Sequence, residues 1–412
     1  MGSIKIWNYV VFLWIYSGLL RSIFPGLNIL LYLLPFLLAF FYLITTTARN
    51  NSADKTKNLL ILYTIFTFGI QVLQYLQQNI SLRNVFTGLV LYSLAPSIIF
   101  LSMNIKFELL LLNFVRAIKI GIPINLVLVF LQVTGDSSFF TRSKITGLES
   151  LTTDGKVLRA IGTFSHSVGF STFLSVATVM AIYFCRRESK ASQAFWIFQI
   201  SLLYLLSGSR TVFINLFLIL LMQAFIYLKF SNRANRTKFR NILGLSFLVL
   251  FTFMLVRFKF TSVLDAFTSR VNSAAEQESS LARILNQNFG WFDHIQDSFW
   301  GDGLGFYSTG TIGFEPNRTT WVEDDLLRII LEAGSILGLF IITLRWILPI
   351  WVFVQIRKYP NEDRSILLLL LAAIFTNLIQ GSLTGQGSVA IQVWLITGIC
   401  ISSIYENKDK YS

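Results

Sequence analysis

The chain has 412 residues, of which 54% are hydrophobic and only 13% are charged, and its mean hydropathy is +0.63. Soluble domains carry roughly 25% charged residues, so the composition excludes an ordinary soluble protein and predicts an all-α polytopic integral membrane protein. The net charge of +13 does not indicate a nucleic-acid partner. Its basic residues lie in short hydrophilic loops between apolar runs, as they do in the cytoplasmic loops of membrane proteins.

Twelve apolar runs follow one another along the chain, and about 20 apolar residues suffice for one helical span. We interpret them as about twelve transmembrane helices within a single membrane domain, 1–412. The run at 194–207 is short enough to tilt or to merge with its neighbour. The runs lie near 6–20, 27–44, 59–77, 85–103, 118–134, 160–184, 194–207, 211–228, 241–256, 327–354, 366–381 and 389–404.

Lys and Arg are concentrated in four loops, 45–58, 186–190, 229–240 and 357–364. All four lie on one side of the membrane if both termini are cytoplasmic, as the positive-inside rule predicts. The opposite side then carries a smaller loop, 135–159, and a large loop, 257–325, whose length is typical of a functional segment. Within the large loop, apolar spacing over 279–300 predicts a short surface helix, and 301–317 is rich in glycine.

Among the arginines at the extracytoplasmic boundary or in the large loop, four are candidates for a binding site: Arg159, Arg210, Arg283 and Arg328. A guanidinium group offers a fork of N–H donors that suits phosphate, so these residues together would suit a lipid-linked diphosphate. The alternative is that each arginine anchors its helix at headgroup level. Arg345, deep in the run 327–354, is a further charge inside a span.

His166 and His294 are the only histidines, and two histidines without a nearby cysteine do not predict a zinc site. We place His166 one to two turns inside the span 160–184, where it is a candidate for lining a substrate site. A lone histidine is also a common structural residue, and that alternative stays open.

Three consecutive acidic residues, Glu323 to Asp325, lie just before the apolar run 327–354. Acids stabilise a helix N-terminus by about 0.3–1 kcal/mol, and Asp324 is spaced to pair with Arg328 at i,i+4. Neighbouring carboxylates at an apolar boundary also raise one pKa, which suits a general base. We expect two of the three to be structural. Gly334 and Gly338 form a small-xxx-small pattern that predicts close helix packing.

Four blocks of the sequence resemble, in order, bacterial O-antigen polymerases and ligases. They are RAIGTFSHSVGFS (159–171), LSGSRTVF (206–213), SLARILNQNFGWFDHIQDSFWGDGLGFY (280–307) and EDDLLRIILEAGSILGL (323–339). The resemblance covers roughly the C-terminal 250 residues. Ligases of this family usually begin the last block with His-Asn, and here Glu323 and Asp324 fill those positions, which favours a polymerase.

The resemblance implies a metal-independent membrane glycosyltransferase of GT-C type, with no cofactor, that acts on undecaprenyl-diphosphate-linked glycans as donor and acceptor. Arg159, Arg210 and Arg283 would hold the donor diphosphate, with Arg328 and His166 as further binding residues. Glu323 or Asp324 would activate the acceptor hydroxyl. The enzyme would lie in the bacterial inner membrane, face the periplasm, and make a surface polysaccharide such as that of lipopolysaccharide, with a chain-length regulator protein as a further partner.

Two alternatives remain open. The first is an O-antigen ligase that transfers the lipid-linked glycan to lipid A core or to a protein. The second is a non-enzymatic lipid-glycan flippase or transporter. Transporters carry broken helices at the membrane midplane and two similar halves, whereas the polar residues of this chain are concentrated at one membrane face.

Overall fold

The computed structural model shows a bundle of α-helices. It describes residues 2–23, 28–47, 51–78, 81–134, 152–153, 157–158, 160–164, 166–185, 188–207, 209–230, 289–295, 299–308, 322, 324–358, 363–381 and 383–411. The helices are α1 (Gly2–Ile23), α2 (Asn28–Thr45), α3 (Asn51–Gln78), α4 (Leu82–Met103), α5 (Phe107–Thr134), α6 (Ser167–Phe184), α7 (Lys190–Leu206), α8 (Arg210–Phe230), α9 (Asp325–Lys358), α10 (Arg364–Gln380) and α11 (Gly387–Tyr411). A 3₁₀ turn covers Gly290–His294. Strands β1 (Thr152–Thr153) and β2 (Val157–Leu158) pair antiparallel within the predicted loop 135–159.

Seven of the described helices are long and apolar enough to cross a membrane: α1, α3, α4, α5, α6, α9 and α11. Shorter apolar helices occur in α2, α8 and α10. The chain is therefore a helical, multi-pass membrane protein, as its composition predicts. Every predicted apolar run except 241–256 coincides with one of the helices. The run 241–256 lies outside the described residues, so the total of twelve spans stays a prediction.

In the apolar stretch of α11 that could cross a membrane, 94% of the residues are buried, against 28% in that of α3. Helix α11 therefore lies at the centre of the bundle. The indole Nε1 of Trp14 donates a hydrogen bond of 3.1 Å to Gln392 Oε1 and ties α1 to α11. Leu59, Leu62 and Ile65 of α3 are exposed. Because lipid tails are as apolar as leucine, these side chains give a face suited to lipid.

Helix α5 begins at Phe107, earlier than the run 118–134 predicts. The predicted start was wrong because charged residues do not delimit this helix: Arg116 lies within it, and so does Lys119. Its ammonium group pairs with the carboxylate of Glu188 and lies 4.5 Å from the ring centroid of Phe184. A charge with such partners can be held within an apolar helix, so no loop is needed there.

Helix α6 begins at Ser167, later than the run 160–184 predicts. Residues 160–164 form a turn instead, with Gly162 at φ +56°. Two side chains of α5 satisfy the backbone of this turn. Gln132 Oε1 accepts hydrogen bonds from the N–H groups of residues 161 and 162, at 3.1 and 3.0 Å, and Asn125 Oδ1 accepts one from residue 163 at 2.9 Å.

Helix α9 is interrupted at Gly334, whose φ of 76° and ψ of 174° are not helical. This region of backbone space is essentially open to glycine alone. A Cβ on Gly338 would lie 3.1 Å from the Cα of Ile330, eight residues earlier. In a continuous helix eight residues span about 12 Å, so the chain reverses direction at Gly334.

The segments on either side of Gly334 therefore form a helical hairpin, with a short arm (325–333) and a long arm (335–358). The long arm, at about 36 Å, can cross the ~30 Å hydrocarbon core alone. The prediction of one continuous span over 327–354 was wrong. Gly334 and Gly338 do permit close packing, but the packing is within this hairpin and against the segment 299–301.

Candidate functional site

Asp325, at the start of the short arm, is 1% exposed, and its carboxylate accepts hydrogen bonds from five donors. Two are guanidinium groups: Arg328 Nη1 at 3.0 Å and Arg345 Nη1 at 2.6 Å. Three come from the turn between α10 and α11: Leu383 N at 3.0 Å, Thr384 N at 3.3 Å and Thr384 Oγ1 at 2.8 Å. Asp325 therefore fastens the short arm to the long arm and to this turn.

Arg345 joins the long arm to the end of α10 through backbone oxygens. Its Nε donates to Leu378 O at 2.9 Å, and its Nη2 donates to Gly381 O at 2.7 Å and Asn377 O at 3.3 Å. The side chain is 3% exposed. It shares the carboxylate of Asp325 with Arg328, and it acts as an internal tie in this structure.

Arg328 is fully buried and donates to Asp325 and to the carbonyl oxygen of Val322. The prediction that Arg328 pairs with Asp324 at i,i+4 was wrong, because the partner is Asp325 at i,i+3. Headgroup anchoring is also excluded, since the guanidinium group lies inside the protein. A diphosphate would reach it only if this buried arrangement opened.

Asp324 caps the short arm, as the sequence predicts of one acid in the cluster. Its Oδ1 accepts a hydrogen bond of 3.1 Å from Leu326 N. The side chain is half-buried, and burial is the main cause that raises the pKa of Asp324 above its ordinary value, with the charge of Asp325 adding to it. A half-exposed carboxylate with a raised pKa can take up a proton, as a general base must.

Glu332, on the same short arm, is fully buried. Its carboxylate accepts three hydrogen bonds: from Tyr92 Oη at 2.9 Å, from Gly305 N at 2.9 Å and from Tyr307 N at 2.8 Å. The glycine-rich segment 299–308 is thereby fixed to the hairpin. Glu332 was not recognised in the sequence, although an acid inside an apolar run is a signal of function or of a buried pair.

The last carbonyl groups of the short arm are satisfied by the same glycine-rich segment. Asp302 N donates to Leu331 O at 2.7 Å, and Gly303 N donates to Glu332 O at 3.2 Å. Gln74 Nε2 of α3 also donates to Glu332 O, at 2.9 Å. A helix end leaves carbonyl groups without intrahelical partners, so this segment is what allows the helix to end inside the protein.

Hydrogen bonds link the first two sequence blocks to the hairpin through α10. Ser171 Oγ of α6 donates to Ser209 Oγ, which directly precedes α8, at 3.1 Å. Asn377 Nδ2 of α10 donates to Thr172 Oγ1 of α6 at 3.1 Å, and its carbonyl oxygen accepts from Arg345. Residues of the first two blocks and Asp325 of the fourth therefore lie around the end of α10, and the third block binds the other end of the short arm, at Glu332.

The predicted site residues divide into those that the structure describes and those that it does not. Arg159, Arg283 and Glu323 lie outside the described residues, and Arg210 is described by its backbone alone, as the first residue of α8. His166 is the N-cap of α6, with φ −149° and ψ 145°, so its predicted position inside the helix was wrong. Among described residues, no three His, Cys, Asp or Glu side chains cluster as metal ligands.

Comparison with known proteins identifies no relative of this chain. No protein-family model matches the chain, and no curated protein or solved structure is significantly similar to it. The class that the fold defines is a helical multi-pass membrane protein with a buried ionic network at one end.

Proposed function

We propose that the protein is a polymerase that joins undecaprenyl-diphosphate-linked oligosaccharide repeat units into a surface polysaccharide, as a membrane glycosyltransferase of GT-C type. One observation carries the proposal: hydrogen bonds join the four sequence blocks that resemble O-antigen polymerases and ligases into one network through α10 and the hairpin. A shared substrate site would require this arrangement.

In the proposed reaction, a hydroxyl group of the acceptor glycan attacks the anomeric carbon of the donor. A new glycosidic C–O bond forms, the C–O bond to the diphosphate breaks, and undecaprenyl diphosphate leaves. The hydroxyl proton passes to a carboxylate, for which Asp324 and Glu323 are the candidates. Arg159, Arg210 and Arg283 stabilise the charge of the leaving diphosphate, which is commonly the largest contribution to catalysis. Arg328 fixes the start of the short arm through Asp325 and Val322.

The orientation of the proposed enzyme in the inner membrane places both termini in the cytoplasm and the site at the outer face. The described contacts support this orientation. Thr56, near the start of α3, hydrogen-bonds Tyr405 near the end of α11, and Phe107 N donates to Glu406 at 3.0 Å. The Lys- and Arg-rich loop 45–58 and the C-terminal end of α11 thus lie together, at the opposite end of α11 from the turn that binds Asp325.

A second candidate, a non-enzymatic lipid-glycan transporter, is favoured by one observation, the helix break at Gly334 in a helix that also carries the buried Arg345. Broken helices line the midplane sites of many transporters. The carbonyl groups left without helical partners at this break, however, accept hydrogen bonds from the segment 299–308 and from Gln74. They are therefore not available to bind an ion, which weighs against a transport site. An O-antigen ligase of the same fold is the other alternative, and Glu323 and Asp324 in place of His-Asn weigh against it.

The experiment that tests the proposal is replacement of Arg210 by Ala in cells that depend on this gene for their polysaccharide. We expect long-chain glycan to disappear and single repeat units to remain, either on the carrier lipid or attached to their final acceptor. Arg357→Ala is the matched control, because Arg357 lies at the far end of α9, over the ring of Phe353, and should leave the polymer intact. Normal amounts of long-chain glycan in Arg210→Ala would exclude the assignment. Long chains that stay on the carrier lipid would instead identify a ligase.

A further inference from the structure

From Asp302 to Ser308, the backbone of the glycine-rich segment 299–308 has no N–H group left for binding an anion. Each N–H group from Asp302 to Ser308 already donates within the protein, to carbonyl oxygens, to the amide oxygens of Gln71 and Gln74, or to the carboxylate of Glu332. Glycine-rich turns often hold phosphate with such N–H groups. Here the anion that they hold is the protein's own Glu332.

Glu332 determines the conformation of this segment from inside the protein. Its two carboxylate oxygens receive the N–H groups of Gly305 and Tyr307, so both residues are held in fixed positions. The short arm that carries Glu332 also contributes Ile329 and Ile330 to a buried apolar cluster that includes Leu304 of the glycine-rich segment. Burial of a carboxylate costs free energy unless hydrogen bonds compensate it, and an apolar side chain would join the two segments without that cost. What the carboxylate adds is a defined orientation of the segment.

The side chains that this orientation presents are Asp302, Phe306 and Tyr307, all of which are half-exposed. The Tyr307 hydroxyl donates to the Asp302 carboxylate, and the rings of Phe306 and Tyr307 meet edge to face with centroids 4.9 Å apart. This surface combines aromatic rings with a carboxylate. Aromatic rings stack on the C–H face of a pyranose, and a carboxylate accepts hydrogen bonds from sugar hydroxyl groups.

The charge of the segment favours a sugar over a diphosphate. The sequence of 299–308, FWGDGLGFYS, contains no Lys or Arg. A diphosphate would find no cationic side chain in this segment and no uncommitted N–H group between residues 302 and 308, and Asp302 would repel it. A glycan would meet no such repulsion.

The distance to Asp324 suits a bound oligosaccharide. Glu332 follows Asp324 by eight residues along the short arm, which corresponds to about 12 Å along the helix axis. A short oligosaccharide with its reactive hydroxyl beside Asp324 could therefore extend to Asp302 and Tyr307.

We propose that Asp302, Phe306 and Tyr307 form a glycan-binding wall for the acceptor, and that Glu332 is the positioning residue that holds it. This proposal rests on the proposed polymerase function and specifies which part of the acceptor these three residues bind. The wall binds the sugar part of the lipid-linked acceptor, and the arginines elsewhere in the site take the diphosphate.

The test measures equilibrium binding of two probes to the full chain in lipid nanodiscs. The first is the reducing repeat-unit oligosaccharide, cleaved from its lipid by mild acid, and the second is undecaprenyl diphosphate. We expect Tyr307→Ala to weaken oligosaccharide binding about tenfold and to leave binding of undecaprenyl diphosphate unchanged. Tyr307 is half-exposed, so this variant should fold. Phe292→Ala is the control, because Phe292 is an exposed aromatic residue outside the segment that Glu332 holds.

Glu332→Gln tests the positioning role. Gly305 N and Tyr307 N bind different oxygens of the carboxylate, so in the amide one of the two N–H groups faces an NH2 donor, and the segment shifts. We expect the KM for the lipid-linked acceptor to rise about tenfold with kcat within twofold of the wild-type value. An equal fall in kcat and in kcat/KM would overturn the positioning role.

The outcomes separate the two proposals. Wild-type oligosaccharide binding in Tyr307→Ala would overturn the wall, even if the protein polymerises. Equal loss in Phe292→Ala would also overturn it, and would show that these aromatic residues only anchor the loop at the membrane surface. If the oligosaccharide binds in a Tyr307-dependent manner while the wild-type protein makes no polymer, the polymerase proposal fails and the wall remains.

Discussion

Asp325 and Arg345 are 20 residues apart in one helical segment, yet their side chains form a buried ion pair of 2.6 Å. In a continuous helix their Cα atoms would be about 30 Å apart. The pair therefore depends on the reversal at Gly334 and in turn stabilises it. Because the same carboxylate binds the turn between α10 and α11, one residue joins three parts of the chain.

Replacing Asp325 by Asn should strongly destabilise the protein. The variant leaves two buried guanidinium groups without their carboxylate, and loss of one partner of a buried pair costs about 3–5 kcal/mol. The measurement is the thermal unfolding midpoint in detergent. Asp324→Asn is the control, with a change near zero expected. An unchanged midpoint in Asp325→Asn would mean that the pair contributes little to holding the hairpin.

Replacing Gly334 by Ala should also destabilise the hairpin. An alanine there would adopt a strained backbone, at a cost of about 1–3 kcal/mol, and its Cβ would collide with the backbone of 299–301. Gly69→Ala in α3 is a matched control, because a Cβ at Gly69 meets nothing within 4 Å. Equal unfolding midpoints for the two variants would contradict the interruption of α9 at Gly334.

The acidic cluster can be tested by comparing Asp324→Asn with Glu323→Gln. Asparagine caps a helix about as well as aspartate, so Asp324→Asn should fold normally. Burial raises the pKa of Asp324, which means that the folded state favours the protonated form. Stability from this group is therefore present at low pH and is lost as pH rises through the raised pKa.

A base must be deprotonated, so activity should fall as pH decreases through the raised pKa of Asp324, above the ordinary value of about 3.9. If Asp324 is the base, Asp324→Asn abolishes polymerisation at all pH values, and Glu323→Gln retains it. The measurement is the pH profile of polymer formation in nanodiscs. Wild-type activity in both variants would reduce the acidic cluster to a helix cap.

The contact between α5 and the loop before α7 should make stability depend on pH. Hydrogen bonds from Lys119, Ser192 and Trp196 hold the pKa of Glu188 below its ordinary value. The stabilisation is therefore complete above the ordinary pKa and is lost as pH falls through the lowered one. We expect the thermal midpoint of the wild-type protein to fall more than that of Glu188→Gln when pH is lowered from 6 to 3, with ~4.3 as the ordinary value. Parallel curves would assign the pH dependence to other groups.

Most of the fold could be predicted from hydropathy, because the lipid-facing side of each helix leaves a long apolar run in the sequence. The helix starts were less predictable. Arg116 and Lys119 interrupt the apolar sequence of α5 without ending the helix, and Glu188 and Phe184 accommodate the charge of Lys119. Before α6, Gln132 and Asn125 bind the backbone of the non-helical turn 160–164. This turn is apolar, so the sequence predicts it as part of the span 160–184.

The hairpin could not be predicted, for a different reason. Both arms are apolar, so the sequence of α9 reads as one long span, and its reversal depends on tertiary contacts with Gly301 and Asp302. The ionic partners of the site could not be predicted either. Arg328 is spaced to reach both Asp324 and Asp325, and it pairs with Asp325, whose carboxylate also binds Thr384 and Arg345. Those two contacts come from distant parts of the chain. The short arm's Glu332 carried a signal, a lone acid in an apolar run, that could have been used.

The turn that binds Asp325 has a consequence for how the chain is made. Leu383 lies 58 residues after Asp325, so at about 5–20 residues per second the ribosome needs roughly 3–12 s to supply it. During that interval Asp325 lacks its hydrogen bonds to Leu383 and Thr384, so the short arm cannot yet dock in its final position. Synthesis of α10 and α11 would therefore precede final docking of the hairpin, and a stall between residues 325 and 383 would expose an unassembled, charged segment to the quality-control machinery of the cell.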